Sequence, residues 1–208
     1  MAIVVPPLSE LVHPKRAALL LIDFQAHVLY DKNYVKGVPE AVETMTRLLA
    51  EARRAGITIV HIRVVERNET DSAVWLSRHY TKPHRVGARR DGTPGAEFHP
   101  ALLPVKDEIV LVKSRYSAFY KTGLEKTLRD RGIDSVLLTG IASNVCVEAT
   151  ATDAFQREFW TIIVSDCVAA RDPEEQERAL RDAERNWGIV VSSADIVNAW
   201  QPVSAAAR

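Results

Sequence analysis

The sequence predicts an α/β protein: a three-layer α/β/α arrangement around a Rossmann-like, mostly parallel sheet of about six strands. Three observations lead there. Runs of consecutive, mostly apolar residues rather than alternating ones recur along the chain, helical patterns lie between them, and the alternation persists from residue 16 to residue 191. Continuous apolar strands belong to sheets covered on both faces, and parallel neighbours need a helical crossover to bring the chain back to the same end of the sheet.

The first strand is the run from Arg16 to Asp23, Arg-Ala-Ala-Leu-Leu-Leu-Ile-Asp. Further strands are expected at Ile57 to Ile62, Ile109 to Val112, Ser135 to Thr139, Thr161 to Val164 and Ile189 to Val191. Between the first two, residues 39 to 55 place Val42, Met45, Leu48, Leu49 and Ala52 on one stripe, with Pro39 in the first turn and Gly56 just past the end. That is the pattern of an amphipathic helix with a start and a stop signal. Leu124 to Arg131 closes on Gly132 in the same way, and helices over 144 to 157 and 174 to 187 complete the alternation. Only residues 64 to 107 depart from it, as a long polar insertion, and a connection of that length carries function or moves. The length, 208 residues, is room for one domain over 1–208, with the insertion serving substrate specificity or subunit contact.

Composition removes whole classes of function. The 27 Lys and Arg balance the 27 Asp and Glu, so no excess of positive charge is available for a phosphate backbone or an anionic lipid surface. Neither nucleic acid nor membrane is expected as a partner: no apolar stretch approaches the ~18 residues of a span. The start, Met1-Ala-Ile-Val-Val-Pro-Pro, lacks a basic leader, which points to the cytoplasm. No G-x-G-x-x-G follows any strand, which argues against a dinucleotide. Cys146 and Cys167 are the only cysteines, too few for a disulfide scaffold and not spaced as a C-x-x-C pair.

In a parallel sheet the carboxyl ends of all strands share one rim, and ligands bind there. The first strand ends at Asp23, the third at Lys113, and the fourth runs through Thr139-Gly-Ile-Ala-Ser-Asn-Val-Cys146 into a helix. Together these residues supply a thiol nucleophile, a carboxylate able to take its proton and a cation to orient both. Ser143 or Asn144 is a natural N-cap, which would put Cys146 in the first helical turn. There the positive end of the dipole favours a thiolate and unpaired N–H groups offer an oxyanion hole. Cys167 follows Asp166 at another strand end without such partners and reads as structural.

Three segments, Leu-Leu-Leu-Ile-Asp23-Phe-Gln, Val-Lys113-Ser-Arg-Tyr-Ser-Ala-Phe-Tyr-Lys-Thr-Gly-Leu and Leu-Thr-Gly-Ile-Ala-Ser-Asn-Val-Cys146-Val-Glu-Ala-Thr, resemble the isochorismatase-like cysteine hydrolases, in order and over about Ala17 to Trp200. The resemblance implies a catalytic triad of Asp23, Lys113 and Cys146, a cis bond at Ile141–Ala142, and an oxyanion hole from the N–H groups of Ala142 and Cys146. It is nearest to ureidoacrylate and N-carbamoyl amidohydrolases, so the implied substrate is a small amide or ureido compound, possibly anionic. A homodimer or homotetramer is implied as well. No cofactor is called for. The metal motif of the nicotinamidase branch is replaced by Val60-His-Ile-Arg63-Val-Val-Glu66, and His79, His84 and His99 lie scattered in the insertion, so no metal is expected. Vinyl-ether hydrolysis, which needs no thiol, and a catalytically inactive scaffold are the competing readings.

Phe24, Gln25, Tyr30, Trp75, Tyr116, Phe119 and Asn144 are the candidate pocket walls, being next to the triad in sequence or in the insertion. The basic residues Lys82, His84, Arg85, Arg89 and Arg90 are candidates to meet a substrate carboxylate.

Overall fold

A computed structural model describes residues 4–30, 37–79 and 87–201. Six strands form one sheet: β1 (Ala17–Ile22), β2 (Thr58–Val64), β3 (Ile109–Lys113), β4 (Ser135–Ile141), β5 (Trp160–Ala169) and β6 (Ile189–Val191). Their order is β3-β2-β1-β4-β5-β6 and every neighbouring pair is parallel. The chain winds outward from β1 to β3, then returns to β4 on the other side of β1. The order therefore reverses between β1 and β4, and the crevice at their carboxyl ends is the switch point where such sheets bind ligands.

Both faces of the sheet are buried, which explains the unbroken apolar runs. Leu19 and Leu21 of β1 enter one core with α3 (Val38–Ala55) and, near the end of the chain, α8 (Ser193–Trp200). Leu20 and Ile22 enter a second core with residues of α5 (Leu124–Arg129), α6 (Glu148–Gln156) and α7 (Pro173–Asn186). The stripe read from residues 39 to 55 is the buried face of α3, and Gly56 ends that helix at φ 71°, its N–H returning to the carbonyls of Ala52 and Arg53. The remaining helices are single turns: α1 (Leu8–Leu11), α2 (His27–Tyr30) and α4 (Ala73–Leu76).

The structure departs from the sequence reading at several places. β5 runs on to Ala169 because Ser165 and Asp166 interrupt the apolar pattern at a register shift against β4, after which Cys167 to Ala169 resume burial. The helix α8 is additional. Its start carries a capping box, Ser192 with Asp195, and Trp200 Nε1 donates to the Val12 carbonyl at 2.7 Å. The 64–107 connection holds α4, short 3₁₀ turns, and bridges pairing Gln25 with Phe98 and Glu66 with Arg90.

Candidate active site

Asp23 follows β1 with its N–H still bound to the Ile62 carbonyl at 2.9 Å, then turns sharply at φ 57° while its own carbonyl accepts from Gln25 N at 2.8 Å. An L-residue at positive φ is uncommon, and Asp is among the side chains that tolerate it. On the facing strand, Gly140 has φ 138°, and a Cβ there would lie 2.1 Å from the Ile22 carbonyl oxygen. Only glycine lets β4 pass this close to the end of β1. The next bond, Ile141–Ala142, is cis, and the chain then enters a π turn over Ser143–Val147 that leads into α6.

Cys146 sits inside that π turn, so the expected capped first turn of an α-helix is corrected. Ala142 holds the cap position without a side-chain bond. Ser143 Oγ instead donates to Gln176 Oε1 at 2.7 Å and Asn144 Nδ2 to Glu175 Oε2 at 3.2 Å, tying the turn to α7. The cap reading failed because both side chains found partners on a helix distant in sequence.

Lys113, at the end of β3, reaches over β2 to place Nζ 2.7 Å from Asp23 Oδ2, with both side chains at most 2% exposed. Its ammonium also donates to the carbonyls of Arg115 (3.2 Å) and Tyr116 (2.7 Å). Cys146 is close enough to Asp23 and Lys113 for the three to act on one another's charge. Burial opposes the charge on Lys113, but Asp23 and Cys146 outweigh it and hold the ammonium firmly protonated. The thiol is pushed up to about 12, first by burial and then by the negative charge of Asp23, against which Lys113 and Arg89 act in the other direction. The pull toward a thiolate expected from the helix start is thus opposed by burial and by the neighbouring carboxylate, which favour the protonated sulfur. Cys167 is buried in the core of the α3 face and its thiol is likewise raised, by burial and by Asp166.

Several proposed pocket walls are structural. Phe24 is fully buried in the core of the α3 face. Gln25 is fully buried and spends its amide on the carbonyls of Val64 (3.0 Å) and Ala96 (2.9 Å) and on the Val64 N–H (3.0 Å). Phe119 packs against Phe159 in the other core, their centroids 5.7 Å apart. Asn144 is held by Glu175, as above. Trp75 and Tyr116 do meet, at 4.8 Å between centroids, with Arg78 3.7 Å and Arg115 4.8 Å from the Trp75 ring. The side chains of Tyr30 and His79, and Lys82, His84 and Arg85 entire, lie outside the described residues.

A group the sequence reading missed sits beside this aromatic pair. Buried Glu66 receives Arg78 at 2.9 Å, Arg89 at 3.4 Å and the Gly87 N–H at 2.8 Å. The available signal was position: Glu66 comes two residues after the carboxyl end of β2, on the same rim as Asp23 and Lys113. Of the basic candidates, Arg89 is in this group, whereas Arg90 points to Asn68 (2.9 Å) and Asp71 (3.6 Å). His99 Nδ1 accepts the Ala101 N–H at 3.2 Å, capping a 3₁₀ turn. Among the described residues no three His, Cys, Asp or Glu side chains gather as metal ligands would.

A parallel six-stranded sheet with a carboxylate, an ammonium and a thiol meeting at its switch point defines a hydrolase-type α/β scaffold. The isochorismatase domain matches residues 17–195, and the chain belongs to that family. It is 37% identical over 185 residues to maleamate amidohydrolase of Pseudomonas putida, covering 87% of this chain and 85% of that protein. Ureidoacrylate amidohydrolase of Methylorubrum extorquens is 37% identical over 169 residues, covering 75% and 68%. A cysteine hydrolase from Pseudomonas syringae pv. phaseolicola has a similar structure, with TM-score 0.81, 27% identity and coverage of 90% and 93%. The family read from the three sequence motifs and the fold read from the alternation of apolar runs and helical patterns are both borne out. No helix among the described residues is long and apolar enough to cross a membrane.

Proposed function

We propose that this chain is a cysteine-dependent amidohydrolase that cleaves the C–N bond of a small amide or ureido substrate through a covalent acyl-thioester. The observation that carries the reading is the buried contact of Cys146 with the Asp23–Lys113 ion pair. The family relatives named amidohydrolases support the bond cleaved, and Trp75 and Tyr116 with the Arg78–Glu66–Arg89 group are the side chains nearest in kind to a small polar substrate's needs.

In this mechanism Asp23 takes the proton of Cys146 as sulfur attacks the carbonyl carbon. A thiol that holds its proton at rest makes this transfer part of the attack rather than a prior step. The oxyanion is received by the N–H groups of Ala142 and Cys146. The C–N bond breaks, Asp23 returns the proton to the departing nitrogen, and the acyl group stays on sulfur. Water, deprotonated by Asp23, attacks the thioester, and sulfur leaves to recover the proton. Lys113 keeps the carboxylate oriented throughout and favours its ionised form each time it must accept a proton.

The test is ammonia release from a panel of ureido acids, carbamoyl amino acids, maleamate, nicotinamide and simple amides. Cys146→Ala is expected to lose turnover on whichever compound is cleaved while still binding it, and acid quenching of the wild type should trap the acyl group on the Cys146 peptide. Turnover by the alanine variant at the wild-type rate would remove the covalent scheme and favour thiol-independent vinyl-ether chemistry.

A further inference from the structure

We infer that Thr150 is a positioning residue whose single hydroxyl ties the turn carrying Cys146 to the loop that seats Lys113. The inference rests on the cysteine-hydrolase reading. Thr150 lies in α6, one turn beyond Cys146, and is fully buried. Its Oγ1 donates to the Cys146 carbonyl at 2.7 Å and accepts the Ala118 N–H at 3.1 Å. The first bond is ordinary, since threonines within helices often return to the carbonyl four residues back. The second is not, because Ala118 is 32 residues distant in sequence.

Ala118 belongs to the segment that holds Lys113. The carbonyls of Arg115 and Tyr116, three and two residues earlier, are the acceptors of the Lys113 ammonium. The same helix grips this segment a second time, where Ser117 Oγ donates to Asp153 Oδ2 at 2.5 Å and accepts from Phe119 N at 3.1 Å. Asp153 joins the loop to Arg157 of the following turn and does not touch the Cys146 peptide. Thr150 bonds the loop and the peptide of the nucleophile through one oxygen, its proton given to Cys146 and a lone pair left for Ala118. One oxygen thus links the backbone of the nucleophile to the loop whose carbonyls hold the Lys113 ammonium, two segments remote along the chain.

The experiment compares wild type, Thr150→Val and Thr150→Ser as full chains. It follows ammonia-release kinetics and the pH dependence of iodoacetamide labelling at Cys146, read by mass spectrometry of its peptide. Valine keeps the shape and removes both bonds; serine keeps both bonds. The valine variant is expected to lose about 10- to 100-fold in kcat with KM changed less than about twofold, as misplacement of reacting groups by a fraction of an ångström does. Its labelling profile should move along the pH axis, and serine should restore both readouts. A role in stability alone would lower the unfolding midpoint and leave kcat and the labelling profile where they were, and that result overturns the inference, as does a serine variant no better than valine. If the valine variant does not fold, Thr150→Ala replaces it in the same comparison. If the wild type releases ammonia from no amide, the amidase reading falls separately, and the labelling profiles then decide for or against Thr150.

Discussion

Replacing Lys113 with Met removes one half of a charge pair that has almost no contact with water. At 2.7 Å and an effective dielectric near 20, the Coulomb attraction between Nζ and Asp23 Oδ2 is about 6 kcal/mol before relaxation. Breaking a buried pair from one side leaves a net destabilisation of about 3–5 kcal/mol, because the surviving charge stays desolvated. The carbonyls of Arg115 and Tyr116 also lose their donor. With a urea slope of about 2 kcal/mol per molar, the unfolding midpoint of Lys113→Met should fall by about 2 M at neutral pH. The double variant Asp23→Asn/Lys113→Met, which carries no buried charge there, should regain more than half of that loss. Urea titrations of the two single variants, the double and the wild type form a cycle that isolates the pair. A midpoint shift below about 0.5 M in Lys113→Met, or a double variant no more stable than the single, would refute the reasoning, since a loss of only that size is what an exposed pair gives.

Gly140→Ala forces a Cβ to within 2.1 Å of the Ile22 carbonyl at a φ of 138°, and should cost about 3–5 kcal/mol, read as a urea midpoint shift above about 1.5 M. His61 sits fully buried against Glu108 at 2.8 Å, and burial holds its pKa below 6.5 despite that partner. As pH falls below 6.5 the unfolded chain therefore takes up the proton first, so the stability present above that value drains on the acid side. His61→Gln should flatten the fall in urea midpoint between about pH 7 and pH 5; an unchanged slope counts against this source. Cys167→Ala should cost about 1 kcal/mol of stability and leave ammonia release at the wild-type rate, whereas a large loss of turnover would mean that the second thiol takes part in the chemistry.

What could be read from the sequence was whatever is local or periodic. β1 and α3 announced themselves through apolar runs and a 3.6-residue stripe, and Asp23, Lys113 and Cys146 stood at strand ends that any parallel sheet brings to one rim. The pocket walls were not readable in the same way, because adjacency in sequence says nothing of which way a side chain turns. Phe24, next to Asp23, points into the core, and Gln25 binds the backbone of β2 and the 94–96 turn. Glu66, Arg78 and Thr150 escaped notice for the opposite reason: each acts through partners far along the chain, such as Arg89 on Glu66 or Ala118 on Thr150. The protonation of Cys146 depends on burial and on Asp23 at once, which no spacing of residues expresses.

Lys113 arrives on β3, the outermost strand on its side of the sheet, which hydrogen-bonds to β2 alone. A strand with one neighbour is held by half the ladder of an inner one, so local opening of β3 would carry the ammonium away from the other two groups. Unfolding at that flank would disarm the sulfur before the rest of the molecule loosened. Amide exchange at Val110 to Val112 would serve as a gauge of whether the thiol is primed.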